Sequence, residues 1–122
     1  MHFSHCTPFL PVADLRETLQ FYKDRLGFYD EWIWEDGFDA GIRRDNLRLL
    51  FNADPDYVSR FDVLGKGFEI VWFVKDLDEI YNEYALKDIE IISPPGDKAW
   101  NRREFTIRDI NGYAIRISEA LG

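Results

Sequence analysis

The 122 residues are 46% hydrophobic and 16% aromatic, enough to bury the core of one domain spanning 1–122. Fifteen Lys and Arg against 23 Asp and Glu give a formal charge of -8, which repels phosphate backbones and anionic headgroups and so argues against nucleic-acid and membrane partners. The lone Cys6 forms no internal disulfide, no apolar run nears the roughly 20 residues of a membrane span, and Met1-His2-Phe3-Ser4-His5 lacks a signal-peptide pattern, so a cytoplasmic protein is expected.

Phe3 to Leu10 is apolar and extended, and Pro8 and Pro11 exclude a helix, which predicts an edge or short strand. A helix opens at Asp14, a capping residue with Glu17 three positions on. Leu15, Thr18, Leu19, Tyr22 and Leu26 follow at helical spacing up to Gly27. Phe28 to Trp34 suits a strand, Asp36-Gly37 a hairpin turn, and Phe38 to Arg43 and Leu47 to Phe51 two further antiparallel strands. Asn52 to Lys66, with Pro55 and Gly65 and no sustained period, reads as a connector.

Glu69 to Val74 predicts a strand, and Asp76 with Glu79 repeats the capping pattern ahead of Leu77, Ile80, Tyr81, Tyr84 and Ala85. Ile89 to Ile92 is a strand that Ser93-Pro94-Pro95-Gly96 is expected to break. Arg103 to Arg108 and Tyr113 to Ser118 form a hairpin around Asp109, Asn111 and Gly112. Val12-Ala13-Asp14-Leu15-Arg16-Glu17 matches Val74-Lys75-Asp76-Leu77-Asp78-Glu79 at an offset of 76 - 14 = 62. The expected fold is therefore α+β: two tandem βαβββ modules, about 1–52 and 67–122, joined by a connector at about 53–66, forming curved, antiparallel-rich mixed sheets.

This pattern resembles the vicinal oxygen chelate superfamily of glyoxalases, bleomycin resistance proteins and dioxygenases, and three segments are similar to the bleomycin resistance proteins. They are Pro11 to Leu15 with Phe21 to Phe28, Asp76 to Tyr81, and Lys98-Ala99-Trp100-Asn101-Arg102-Arg103-Glu104-Phe105. Ala99, Asn101, Ile110 and Tyr113 depart from the family's usual loop and turn residues. The resemblance implies an intertwined homodimer in which strands of both chains build each groove.

Metal-using members of the superfamily place His and carboxylate ligands on matching strands, and alignment of the motifs puts Thr7, Arg48, Glu69 and Arg116 at those places. A guanidinium has no lone pair to give and repels a dication, so neither a metal nor another cofactor is expected. Glu69 is expected to pair with Arg48 or Arg116, and His2 and His5 read as ordinary terminal or strand residues. Cys6, beside Thr7 with no catalytic partner, reads as a small hydrophobe, and no phosphate loop or serine-nucleophile motif is present.

What is left is a binding site. The resemblance implies that Trp100 and Phe38 stack on a flat ligand; Trp32, Trp34 and Phe51 extend the wall, one of the two tryptophans being as suited to the core as to the groove. Glu35, Asp36 and Asp39 bracket Phe38 as a negative cluster, although hairpin turns are acidic for solubility as well, and Arg103 and Glu104 contact either ligand or the partner strand. The expected partner is a cationic aromatic small molecule, bound without catalysis as a bleomycin-like antibiotic is bound in resistance. The alternatives are a divalent-metal-dependent lyase or dioxygenase of the same superfamily and a binder of an unrelated metabolite.

Overall fold

Asp14 has extended backbone angles and its carboxylate accepts the Glu17 amide at 2.9 Å, so the first helix starts where the capping chemistry requires. The computed structural model describes residues 1–122, which divide into two units, Met1–Asp62 and Val63–Gly122, the boundary lying inside the expected connector.

The first unit runs β1 (Phe9–Pro11), α1 (Leu15–Asp24), β2 (Tyr29–Ile33), β3 (Asp39–Arg44), β4 (Leu47–Asn52) and a short α2 (Pro55–Val58). The strands lie in the order β1-β4-β3-β2, with β1 parallel to β4 and the rest antiparallel. Strand β1 is shorter than expected and contains Pro11, which an edge position tolerates because no neighbour needs its missing N–H. Period-two alternation sends Leu10, Ala40, Ile42, Leu49 and Phe51 to the face that α1 covers with Leu15, Leu19 and Tyr22. The Tyr22 ring lies 5.4 Å from Phe28 and 5.2 Å from Phe51, contacts worth about 0.5–1.5 kcal/mol each beyond the buried area. Gly27, at φ +77°, takes the chain out of the helix and towards β2.

The second unit repeats the plan: β5 (Glu69–Phe73), α3 (Leu77–Ala85), β6 (Glu90–Lys98), β7 (Arg102–Arg108) and β8 (Ala114–Ala120), ordered β5-β8-β7-β6 with β5 parallel to β8. Two tandem βαβββ modules, each a four-stranded mixed sheet, are thus the architecture. Trp72, Leu77, Tyr84, Phe105, Ile107, Ile115 and Ile117 form its core. The closing turn is an Asp109 turn, the carboxylate accepting the amides of Asn111 and Tyr113, both at 2.9 Å. No helix is long and apolar enough to cross a membrane.

Two local expectations are corrected. Asp76 does not cap α3: its backbone is left-handed (φ +58°) and its side chain makes no capping bond. The Glu119 carboxylate, on the helix-facing side of β8, accepts the Asp76 and Leu77 amides at 2.8 and 3.2 Å instead, so the cap is supplied from 42 residues downstream of Leu77. Likewise Ser93-Pro94-Pro95-Gly96 does not end β6, which continues to Lys98. Its pairing with β7 shifts register between Ile91 and Ser93 and again between Ser93 and Gly96. As the edge strand, β6 carries the two prolines at irregularities where no ladder bond is lost.

Glu119→Ala is expected to lower stability by about 1–2 kcal/mol, the usual worth of a helix cap. Asp76→Gly, which keeps the left-handed backbone and removes no capping carboxylate, is expected to cost less than half as much; urea denaturation of the two variants measures the difference.

Candidate functional site

Each sheet has one face under its helix and an opposite face that its own unit leaves open. On the open face of the first sheet the side chains fall in rows set by the β3–β4 register. Asp39 lies opposite Asn52, Gly41 opposite Leu50, and Arg43 opposite Arg48. Trp32 of β2 pairs with Gly41 and lies directly on it: a Cβ at Gly41 would fall 2.4 Å from the indole ring. Trp34 meets Trp32 edge-to-face, with centroids 5.5 Å apart and planes at 84°, and both rings are exposed. A groove of about 350 Å³ opens here, lined by His5, Thr7, Asp30, Trp32, Arg43 and Arg48 among others.

The β2–β3 turn stands at the Asp39 end of these rows. Asp36 accepts the amides of Phe38 at 2.9 Å and Asp39 at 3.1 Å, and these bonds, with a side-chain bond to Asp39, hold its carboxyl below the ordinary range. Asn52 donates to Asp39 at 2.7 Å and pulls that carboxyl down. Loss of hydration and the nearby Asp36 and Asp54 carboxylates outweigh this and raise it above the usual value. Phe38 and Glu35 are both exposed on the same turn.

The open face of the second sheet carries a charge network. Arg116 donates Nε and Nη2 to Glu69 Oε2 at 3.0 and 2.8 Å, which resolves the pairing of Glu69 in favour of Arg116. Glu104, buried on the same face, accepts Ser118 Oγ at 2.7 Å, and Arg102 donates to Ser118 while lying over the Phe73 ring. A second groove of about 350 Å³ runs beside Glu69, Glu104 and Arg116, with Trp100 exposed along it.

Of the four residues that the resemblance sets at metal-ligand places, none offers an imidazole or an unpaired carboxylate. Glu69 is occupied by a guanidinium, Arg48 and Arg116 have no lone pair to offer, and Thr7 is a neutral hydroxyl. No three His, Cys, Asp or Glu side chains gather around a common point.

Of the expected wall residues, Trp32 and Trp34 stand together on the open face of the first unit, Phe38 and Glu35 are exposed on the β2–β3 turn, and Asp39 opens β3 on the same face as Gly41. Trp100 lines the groove of the second unit. Neither Trp32 nor Trp34 is in the core. Two residues turn the other way. Phe51 has no accessible surface and packs on Tyr22 under α1. Arg103 shares the helix-facing side of β7 with Phe105 and is held by Asp78 and Asp97, each at 3.0 Å; Asp97 first, then Asp78, keep its pKa raised. Sequence reasoning missed Asp30, Arg43, Thr106 and Ser118, and it left Glu104 open between ligand and partner strand. Alternation with the buried Phe105 and Ile107 was the signal that put Glu104 and Thr106 on the open face.

The Glyoxalase/Bleomycin resistance protein/Dioxygenase superfamily model matches residues 2–117. No curated protein matches the sequence. Among solved structures, a superfamily member from Sphaerobacter thermophilus is 17% identical with a TM-score of 0.81, over 98% of this chain and 99% of that one. The bleomycin-binding protein of bleomycin-producing Streptomyces verticillus, complexed with copper(II)-bleomycin, is 22% identical with a TM-score of 0.72, over 96% of each chain. Lactoylglutathione lyase from Agrobacterium tumefaciens is 20% identical with a TM-score of 0.71, over 95% and 92%. At these identities the likeness is one of fold.

Gly41→Ala is expected to lift the Trp32 ring off β3, because the added methyl occupies the ring's place. Loss of the Trp32–Trp34 exciton couplet in circular dichroism, with the thermal transition still cooperative, is the expected result.

Proposed function

Because the chain belongs to the Glyoxalase/Bleomycin resistance protein/Dioxygenase superfamily, we propose that it is a metal-free binding protein that sequesters a cationic aromatic small molecule, with bleomycin-like antibiotics as the leading class. The observation that carries this reading is the exposed Trp32–Trp34 pair, on the same hairpin as the exposed Phe38 ring and the Asp36 and Asp39 carboxylates. Indoles left in water at a groove edge give stacking area, and a carboxyl raised by lost hydration and then by neighbouring carboxylates, against the pull of Asn52, gains from a cation brought against it. Sequestration needs affinity alone, so no nucleophile or metal is required. The bleomycin-binding fold neighbour supports the class of ligand. A cytoplasmic homodimer is the expected setting: Val71, Phe73 and Trp100 are exposed on the open face of the second sheet, an apolar surface that a second copy would cover.

The rival reading, a divalent-metal-dependent lyase or dioxygenase, has a fold neighbour in its favour and a guanidinium-filled ligand set against it.

Calorimetry with zinc, nickel, manganese or iron is expected to show no stoichiometric uptake, and a tight one-to-one isotherm would sink the metal-free reading. Bleomycin at micromolar concentration is expected to quench tryptophan emission, with Trp32→Ala and Trp100→Ala each reducing the signal. Light scattering is expected to give the mass of a dimer.

Binding is also expected to depend on pH in a stated direction. Asp39 has a raised folded-state pKa, so its contribution to stability is present at low pH and is lost as pH rises through its range. A bound cation reverses that loss by favouring the carboxylate. Cation affinity should therefore strengthen as pH rises through the Asp39 range, with proton release below it, and Asp39→Asn should flatten the profile; calorimetry in buffers of different ionisation enthalpy measures the proton count.

A further inference from the structure

On the open face of the first sheet, we propose that Arg48 anchors a planar anionic group, a carboxylate, of an aromatic compound whose ring lies on Trp32. Three observations carry this. The first is charge matching. Among the arginines on the open faces of the two sheets, Arg43 is paired with Asp30, Arg108 with Glu90 and Arg116 with Glu69, while Arg102 donates to Ser118 and lies over the Phe73 ring. Arg48 is exposed and has no carboxylate, carbonyl or ring partner.

The second is register. Arg43 and Arg48 stand directly opposite each other across β3 and β4, a like-charge cross-strand pair that destabilises a sheet unless a negative group offsets it. Asp30 offsets one of the two charges. The groove in front of the pair therefore holds one unmatched positive charge.

The third is shape and donors. Arg48 lines the same groove as Trp32, whose indole is seated on the Cβ-less Gly41 one row along, and as the Thr7 hydroxyl and the His5 ring. A guanidinium fork with a hydroxyl nearby suits the two oxygens of a carboxylate, and the indole suits a flat ring attached to it. Arg48 is four residues from Asn52 on β4, so the basic row and the acidic Asp39–Asn52 row are about 13 Å apart, with the Trp32 platform between them. The face is polarised, and a ligand with an acid at one end and an ammonium at the other would be held in one orientation only.

This inference shares with the sequestration reading the premise that the open face of the first unit takes a ligand, and it is tested separately with small probes on the whole chain. Tryptophan quenching is followed with 2-naphthoate, the neutral 2-naphthalenemethanol and 2-naphthylmethylammonium. Naphthoate is expected to bind about tenfold or more tightly than the alcohol, the worth of a charge-assisted hydrogen-bonded contact. Arg48→Gln should bring the acid down to the affinity of the alcohol, and Arg48→Lys should keep part of the preference. Equal binding of acid and alcohol, or an acid preference that survives Arg48→Gln, would overturn the proposal. Naphthoate selectivity without any bleomycin quenching would sink the antibiotic reading and leave this one standing; bleomycin quenching without acid selectivity would do the reverse.

Discussion

One helix covers only one face of a four-stranded sheet, and the rest of this structure follows from that constraint. In each unit the first strand lies parallel to the last, so the connection between them carries a helix that lands on a single face. The residues on that face are the apolar ones, Leu10, Leu49 and Phe51 in the first unit and Trp72, Phe105 and Ile117 in the second. Everything that alternates with them is sent to the other side. The open faces are for that reason where polar, charged and large aromatic side chains collect.

What those faces do depends on how their charges are matched. In the second unit Glu69, Glu104, Arg102, Arg116 and Ser118 satisfy one another, which uses up the carboxylate that a divalent ion would need. In the first unit the matching is incomplete at both ends. Carboxylates crowd the β2–β3 turn, and two arginines face each other across the far row, with Trp32 seated on Gly41 between. Incomplete matching around an exposed indole is the feature on which the proposed ligand site rests.

The fold was largely readable from local patterns, and the exceptions share a cause. The Asp14 cap, the Gly27 exit and the strand-helix-strand order depend on residues a few positions apart, and each is present as expected. The Asp76 cap looked equivalent, yet Glu119 supplies it, because a carboxylate that arrives on β8 reaches the helix amides once Asp76 takes a left-handed backbone. Pro94 and Pro95 ended a strand on paper and not in the sheet, since an edge strand has amides to spare. Similarly Phe51 had the right chemistry for a binding wall and sits on the wrong side of its strand, in the α1 core, while Arg103, open between ligand and partner strand, is tied to Asp97 of the partner strand β6 and to Asp78.

The sequence by itself determined the two modules, their offset of 62 residues between Asp14 and Asp76, and the family likeness, because residue identity and short-range periodicity are enough for each. Only the tertiary structure decided that Arg116 takes Glu69, that Trp32 and Trp34 stand together in the open, and that Arg48 is left without a partner. Those outcomes depend on which strands pair and in what register, and a shift of one residue would exchange the two faces of a sheet.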